Sequence, residues 1–515
     1  MTTLSLRTLL DRVPSAWGTL AKDAANLDAI AIESIAEDSR RVRDGTFFVA
    51  HRGRGVDGHR FIAAAVEAGA VAVAGEIAPS ELARPLPDGV PYWQVEDGRL
   101  AFALLSAALF DYPSRKMTII GVTGTDGKTT TSTLIHGILT AAGIQAGLIT
   151  TVSALIGSEA LDTGFHVTTP EAFDLQRYLA HMAAVGCQAA VVESTSHALD
   201  QHRVAYVDYD VAAVTNVTHE HLDWHGSWDN YMAAKARLFA FLAETPRKPG
   251  VPKAAILNRD DQSYAVLRST RADKVLTYSV AGAADADCTA SEISVGRDGT
   301  RFVLHTPVGT VPVRLRLFGE YNVANALAAA GAALALDVPL ATIAAGLETV
   351  ERIKGRMEWV YAGDFDVIVD FAHTPNALRE TIRFARGFVK PGERVIVVFG
   401  SAGLRDVAKR RMMGEVAAAA DLSVLTAEDP RTEDVNDIIE EIADGLRANG
   451  RQEGADFVRV ADRAEAIATA IRLARPGDVV VTCGKAHERS MCYGTTETPW
   501  DEFAAVRAGL QARGL

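Results

Sequence analysis

The stretch "GVTGTDGKTTT", residues 121–131, decides the fold. It has the composition of a phosphate-binding loop but not the usual spacing. The pattern G-x-x-x-x-G-K-[ST] needs glycine at position 122. This chain has Val122 there, with glycines at 121, 124 and 127. The flanks support the phosphate reading. Residues 117–122 form an apolar, β-branched run of the kind that makes a buried strand. Residues 129–139 then place apolar side chains at helical spacing. Strand, glycine turn, lysine and helix start together aim backbone N–H groups and a helix N-terminus at an anion. Lys128 can reach the β- and γ-phosphates of a nucleotide, and the Thr129 hydroxyl can ligate Mg²⁺. A turn without a ligand would leave the placing of Gly-Lys-Thr at the helix start unexplained.

At 515 residues the chain exceeds what one core supports, so two to four domains are expected. Its 48% hydrophobic and 23% charged content is that of a soluble globular protein. The net charge of −13, with no Lys/Arg-rich block, argues against a nucleic-acid surface. Small anionic substrates stay open, because a local cationic pocket can sit on an acidic protein. Cys187, Cys288, Cys483 and Cys492 form no C-x-x-C pair, which suits a reducing cytoplasm. "MTTLSLRTLLDRVPSAW" breaks its apolar run with Arg7, Asp11 and Arg12, so no signal peptide is expected. The apolar tract 326–336 is too short to span a bilayer and reads as a buried helix.

Three blocks emerge. Residues 1–112 alternate strand-like and helix-like pieces such as "GTFFVA". Residues 113–350 begin with the phosphate loop and carry apolar runs at 189–192 and 211–214. From 351 the pattern restarts, with "DVIVDFA", "RVIVVFG", "DLSVLTA" and "DVVVTCG" separated by helical stretches. The expected class is therefore α/β in three domains. A central phosphate-loop ATPase domain has a parallel sheet, a C-terminal domain is Rossmann-like, and the N-terminal α/β domain is small. Polar clusters stand where the apolar runs end, and ligands in open α/β sheets gather at the carboxyl ends of strands. Six such clusters, from "VVESTSH" to "TCGKAHE", exceed what helix capping alone would produce.

A bound nucleoside triphosphate needs Mg²⁺ to neutralise its charge. Glu193, at a strand end, is placed to ligate it. His219, His221, Asp223 and His225 in "THEHLDWH" are further donors, although each histidine alone also suits a helix start. Lys235, on the helix predicted through "NYMAAKARLF", reads in isolation as a solvated surface lysine.

With these motifs on the page, the loop is similar to the variant phosphate loop of the Mur ligases. These ATP-dependent enzymes build the peptide of bacterial cell-wall precursors. The resemblance covers almost the whole chain. Within the family it looks like the MurE type, the UDP-N-acetylmuramoyl-tripeptide synthetases, which add a diamino acid to UDP-N-acetylmuramoyl-L-alanyl-D-glutamate. The resemblance implies ATP binding by Gly121, Gly124, Thr125, Gly127, Lys128, Thr129 and Thr130. "DSRRVRDGTFFVA" with "DGHRFI" resembles the signature that holds the uridine diphosphate, implicating Ser39 and, with it, Arg40, Asp57 and Gly58. "TTPE" puts Thr168 and Thr169 on the muramoyl dipeptide. "ESTSHALDQHRV" puts Glu193 on Mg²⁺ and Thr195, Gln201 and Arg203 on the substrate, with Thr195 in place of the usual serine. In "TNVTHEHLDWHG" His221 becomes a metal ligand, and Glu220 stands where Asp is usual. Lys235 follows two alanines, as does the family's carbamylated lysine, whose carbamate helps hold magnesium. Thr129, Glu193, His221 and Lys235 thus form the implied metal set, and Lys128, Glu193, His221 and Lys235 the implied catalytic set. "GEYNVANALAA" carries Asn322 and Asn325 on the adenine side. "GRME" and "DFAHTP" carry Arg356, Asp370 and His373 as nucleotide contacts made when the C-terminal domain closes.

The family reaction proceeds through an acyl phosphate, which an amine attacks. A closing third domain would keep water from it. For the amino acid, "EDPR" stands where the diaminopimelate-specific enzymes have D-N-P-R. Arg431 keeps the carboxylate clamp, Arg405 matches another contact, and Gly484 and Glu488 are kept in "GKAHE". Asp429 replaces an amide donor with a negatively charged acceptor, which opposes a distal carboxylate and suits the ammonium of lysine or ornithine. The expectation is meso-diaminopimelate, with L-lysine or L-ornithine as the alternative. The implied partners are these small molecules, without nucleic acid or membrane, acting on a monomer. Two other readings are a folyl-polyglutamate-like ligase, which would bind no UDP-sugar, and a motor or switch ATPase, which would turn over ATP without an amino acid. A non-catalytic relative would have no reason to keep Lys128, Glu193, His221 and Lys235.

Overall fold

The computed structural model describes residues 3–22, 26–53, 55–157, 159–161, 168–218, 220 and 222–515. Their organisation is α/β, as the alternating apolar runs require. Three large sheets follow one another along the chain.

The first sheet runs in the order Gly18–Lys22, Tyr92–Val95, Ala70–Gly75, Thr46–Val49, Ser34–Ala36. Its first strand is antiparallel and the rest are parallel. The Ala- and Leu-rich helix Gly98–Leu109 covers it, burying Ala101, Phe102 and Leu105 in one cluster with Phe47 and Trp93.

The central sheet has eleven strands among the described residues. Strand Thr118–Thr123 lies in its middle, parallel to Ala189–Glu193 on one side and Val211–Val214 on the other. All three are buried from end to end save Thr118 and are mainly apolar, as parallel strands covered on both faces must be. The parallel part continues through Ala254–Asn258 and Lys274–Ser279 to Cys288–Gly296. An antiparallel ribbon, Gly299–Thr306 and Gly309–Leu315, then closes that edge. Helix Tyr321–Ala335, which contains the tract read as a buried helix, packs Ala326, Leu327 and Ala330 under the sheet.

The third sheet has the order Glu358–Ala362, Asp366–Asp370, Val479–Cys483, Val395–Phe399, Leu422–Leu425, Phe457–Arg459, parallel except for its first strand. A short hairpin, Ser490–Tyr493 with Thr496–Pro499, lies beyond its last central strand. No described helix is long and apolar enough to cross a membrane. All four cysteines are free.

One buried ion pair ties the C-terminal helix Glu502–Ala512 to the site-bearing loops. Arg463 donates from Nε and Nη2 to Glu502 at 2.8 and 2.7 Å, and also to the carbonyls of Ala427 and Cys483. Both side chains are essentially inaccessible, at 1% and 0% exposure, so neither charge can turn to water. Removing one partner strands the other. Glu502→Ala is expected to destabilise this part of the chain by ~3–5 kcal/mol, read as a lower midpoint in urea. An unchanged midpoint would show that the guanidinium is satisfied by the carbonyls alone.

Candidate active site

Thr118–Thr123 delivers the chain to the loop, and helix Lys128–Ala141 leaves it. Gly127 caps that helix at φ +83°, a left-handed conformation that glycine adopts freely. A Cβ on Gly127 would lie 2.3 Å from Asn325 Oδ1, and one on Gly124 would lie 1.8 Å from Thr215 Oγ1. Both glycines are therefore fixed by close approach as well as by backbone. Gly121 plays another part. It sits within the strand, where its missing side chain leaves room for Leu238 and Tyr209. Lys128 folds back to donate from Nζ to the Thr125 carbonyl at 2.8 Å.

The loop opens into a cleft of about 610 Å³, shared with the third sheet. Thr125, Thr130, Thr168, Glu193, Thr195 and Lys235 line it from the central part. Arg356, Asp370, His373, Arg405, Asp429, Arg431, Gly484 and Glu488 line it from the C-terminal part. Most of the predicted residues thus meet in one place.

The Thr129 hydroxyl donates to Glu193 Oε2 at 3.0 Å, and Thr151 donates to the same carboxylate from N and Oγ1. Among the described residues, no three His, Cys, Asp or Glu side chains form a ready-made metal cluster. A hydroxyl and a carboxylate side by side nevertheless fit Mg²⁺, which takes few protein oxygens and completes its shell with phosphate and water. His219 and His221 lie outside the described residues, as does the side chain of Asp223. His225 is buried, with its ring 5.3 Å from that of Tyr231.

Lys235 is not a surface residue. Helix Trp228–Glu244 packs its face onto the sheet and buries the side chain, leaving it 1% exposed. Its Nζ donates to the Gly124 carbonyl at 2.6 Å and lies 4.4 Å from the centroid of the Tyr231 ring. Burial, followed by the neighbouring Lys128 ammonium, pushes its pKa well below the ordinary lysine value. A pKa lowered in this way favours the neutral, nucleophilic amine.

From the C-terminal side, Arg356 donates from Nη2 to Thr129 Oγ1 at 3.3 Å, while its guanidinium lies over Phe371 and its buried Nε has no partner. His373 Nε2 stands 3.3 Å from Glu220 Oε1. Burial would lower the His373 pKa, but the Glu220 carboxylate more than offsets it and the net direction is upward. Asp370 is tied inward, accepting from Met357 N and Thr381 Oγ1. Asn322 and Asn325 pair with each other, and Thr131 Oγ1 donates to Asn325 Oδ1.

The muramoyl-dipeptide candidates form a second group at the junction with the first sheet. Thr169 Oγ1 donates to the Glu193 carbonyl and accepts from Thr195 N. Arg203 reaches Gln201 Oε1 at 2.7 Å, the Thr169 carbonyl at 3.3 Å and Glu171 at 3.1 Å. Burial raises the Glu171 carboxyl to about 7. Ser39 opens a 3-10 turn in the first sheet's loops, whose cap is Asp38, and Arg40 pairs with Asp38 on the surface. Asp57 caps the turn at Gly58, accepting from His59 N and Nδ1.

Sequence reasoning passed over Asp126, Asn376, Lys409 and Lys485. Asp126 sits in the phosphate loop itself, yet its Oδ2 accepts from Asn376 Nδ2 at 3.1 Å across the cleft. Lys409 donates to the His373 carbonyl at 3.0 Å. Lys485 stands beside Gly484 and is fully buried. Its adjacency to Gly484 at a strand end was the available signal.

Comparison with known proteins agrees with this geometry. Residues 31–107 match the Mur ligase family catalytic domain, residues 122–333 the Mur ligase middle domain, and residues 355–486 the Mur ligase glutamate ligase domain. A "UDP-N-acetylmuramyl-tripeptide synthetase" of Roseiflexus sp. (strain RS-1) is 45% identical over 497 residues, spanning 94% of this chain and 95% of that protein. A "UDP-N-acetylmuramoyl-L-alanyl-D-glutamate--2,6-diaminopimelate ligase" of Geobacillus thermodenitrificans (strain NG80-2) is 40% identical over 512 residues, spanning 99% and 100%. A solved structure of a ligase of that same description superposes with a TM-score of 0.64 at 28% identity, covering 100% of both chains. With a phosphate loop of the family's spacing and relatives alike from end to end, the chain belongs to the Mur ligase family.

Proposed function

We propose that the chain is an ATP-dependent ligase that adds meso-diaminopimelate to UDP-N-acetylmuramoyl-L-alanyl-D-glutamate in peptidoglycan precursor synthesis. The observation that carries this reading is a single cleft. It holds the phosphate loop, the Thr129–Glu193 pair and the buried Lys235 on one wall, and Arg356, Arg405 and Arg431 on the other. In this reading residues 1–112 take the UDP-sugar, 113–350 take ATP and 351–515 take the amino acid. The relatives named for the same dipeptide and for diaminopimelate support it. In this reading the enzyme works in the cytoplasm, as a monomer.

The γ-phosphoryl group of ATP passes to the dipeptide's terminal carboxylate, giving an acyl phosphate and ADP. The amine of the incoming amino acid attacks that carbonyl carbon, and inorganic phosphate leaves the tetrahedral intermediate. Lys128, Arg356 and the loop N–H groups hold the phosphates in line and take up the charge that spreads over the transferring group. Glu193, the Thr129 hydroxyl, His221 and a carbamate on Lys235 would hold Mg²⁺. When bound, that ion supplies Lewis acidity to the phosphoryl oxygens. Thr168, Thr169, Thr195, Gln201 and Arg203 orient the dipeptide, and Ser39 meets the uridine diphosphate. Lys409, donating to the His373 carbonyl, adds positive charge to the C-terminal wall over the nucleotide.

Two measurements test these roles. Lys128→Ala should lower kcat/KM for phosphate release by at least ~10²-fold, the scale of losing one charge-stabilising donor. Activity within a few-fold of wild type would overturn the phosphate-loop assignment. Lys235→Ala should be nearly inactive and regain part of its rate when a short-chain carboxylate is supplied. A mass spectrum of the active enzyme that shows only the free amine at Lys235, under CO₂-saturated conditions, would overturn the carbamate.

A further inference from the structure

Asp429 posed the specificity question, because a carboxylate beside Arg431 should repel the distal carboxylate of diaminopimelate. The structure places a third charge there. Lys485, fully buried, donates from Nζ to Asp429 Oδ1 at 2.8 Å and also pairs with Glu488. The same Asp429 oxygen accepts from Cys492 N at 2.9 Å. The Arg431 amide donates to the Cys492 carbonyl, and the Arg431 carbonyl accepts from Gly494 N at 2.7 Å. The loop is thereby stitched to the 490–499 hairpin. Asp429 and Arg431 are both held at positive φ, +46° and +55°, a strained conformation that persists only when the surroundings fix it.

The consequence appears at Arg431. The adjacent carboxylate that could have satisfied it is taken by Lys485 and the Cys492 amide. Arg431 lines the cleft, and its buried Nε has no hydrogen-bond partner among the described residues. A half-buried guanidinium whose buried Nε–H is open calls for a planar anion.

We infer that Lys485 is a positioning residue that sets amino-acid specificity. It neutralises Asp429 and so leaves Arg431 free to take the distal carboxylate of a diamino dicarboxylic acid. Without Lys485, Asp429 and Glu488 would face the ligand as two uncompensated negative charges, a subsite for a second ammonium. The discrimination is electrostatic, and the repulsive element is disarmed internally by a buried lysine.

This inference rests on the ligase reading above, and the experiment separates the two. Hydroxylamine traps the acyl phosphate as a hydroxamate without any amino acid, so hydroxamate formed from ATP and the UDP-dipeptide reports the ligase chemistry and an intact fold. Ligation is then measured with meso-diaminopimelate, L-lysine and L-ornithine. Wild type should favour meso-diaminopimelate. In Lys485→Met its preference over lysine should fall by at least ~10-fold, mainly through a raised KM, the scale of one uncompensated charge. Asp429→Asn in the Lys485→Met background should restore the preference. A purely structural role for Lys485 would lower all three substrates together and would not be rescued. If Lys485→Met alone yields no hydroxamate, the double variant must yield hydroxamate and keep the preference, and its failure overturns the inference. Wild type that forms hydroxamate but prefers lysine or ornithine overturns the inference and leaves the ligase standing. Wild type that forms none overturns both.

Discussion

The site depends on how closely the phosphate loop is approached by other segments. Gly124 sits under the Thr215 hydroxyl and Gly127 against the Asn325 amide, each closer than any Cβ would permit. These contacts come from the end of strand Val211–Val214 and from helix Tyr321–Ala335, so the loop is clamped from both sides. Thr215 Oγ1 donates to the Asp126 carbonyl, and Asn216 Oδ1 accepts from Asp126 N, fixing the turn's backbone. With the turn fixed, the N–H groups that must meet a phosphate are set before any ligand arrives, which is the cheapest way to bind a polyanion. The glycine spacing that departs from the common pattern follows from the same packing, because Val122 belongs to the fully buried strand and cannot serve the turn.

Three buried lysines show how one side chain takes different roles according to its counter-charge. Lys253 is inaccessible and meets Asp210 at 3.2 Å and Thr245 Oγ1 at 3.0 Å, in a structural cluster that Lys248 shares through the same carboxylate. Lys485 holds two carboxylates and remains charged, its pKa raised by Glu488 and Asp429 against the cost of burial. Lys235 donates to a carbonyl, lies against a ring face and, among the described residues, forms no ion pair, with the carboxylates of Glu220, Asp126 and Glu193 acting on it only from a distance. Burying a charge without a partner costs far more than giving up the proton. Burial and the Lys128 ammonium outweigh the distant carboxylates at Lys235, and its pKa is pushed well down.

Much of this architecture is legible in the sequence because buried parallel strands read as continuous apolar runs. Val395–Phe399 and Val479–Cys483 are examples, and the polar residues after them fall in the cleft. The ribbon 299–315 is not legible in that way. It alternates exposed and buried positions, with Arg301 and Arg314 on its open face, and gives no run to detect. Lys235 misled for a different reason. Its helix shows a modest apolar face, and only the docking of Leu238 against Gly121 reveals which side is buried. Lys485 and Asp429 lie 56 positions apart and meet through strand order, which local sequence does not encode.

The two walls of the cleft meet through polar groups. Arg356 on Thr129, His373 on Glu220, and Thr374 and Asn376 on Asp126 are hydrogen bonds or ion pairs between the central and C-terminal parts. Beside these polar contacts the seam is also apolar, since Phe318 of the central part packs its ring 4.5 Å from that of Trp359 and against Phe384. Asp126 belongs to this seam. Burial and the nearby Glu220 raise its carboxyl pKa, so this charge in the phosphate loop is held at a cost that the Asn376 amide partly relieves. A nucleotide's phosphates would add negative charge to the same loop. Asp126 therefore stands where the phosphate loop, the C-terminal part and an incoming polyanion would meet.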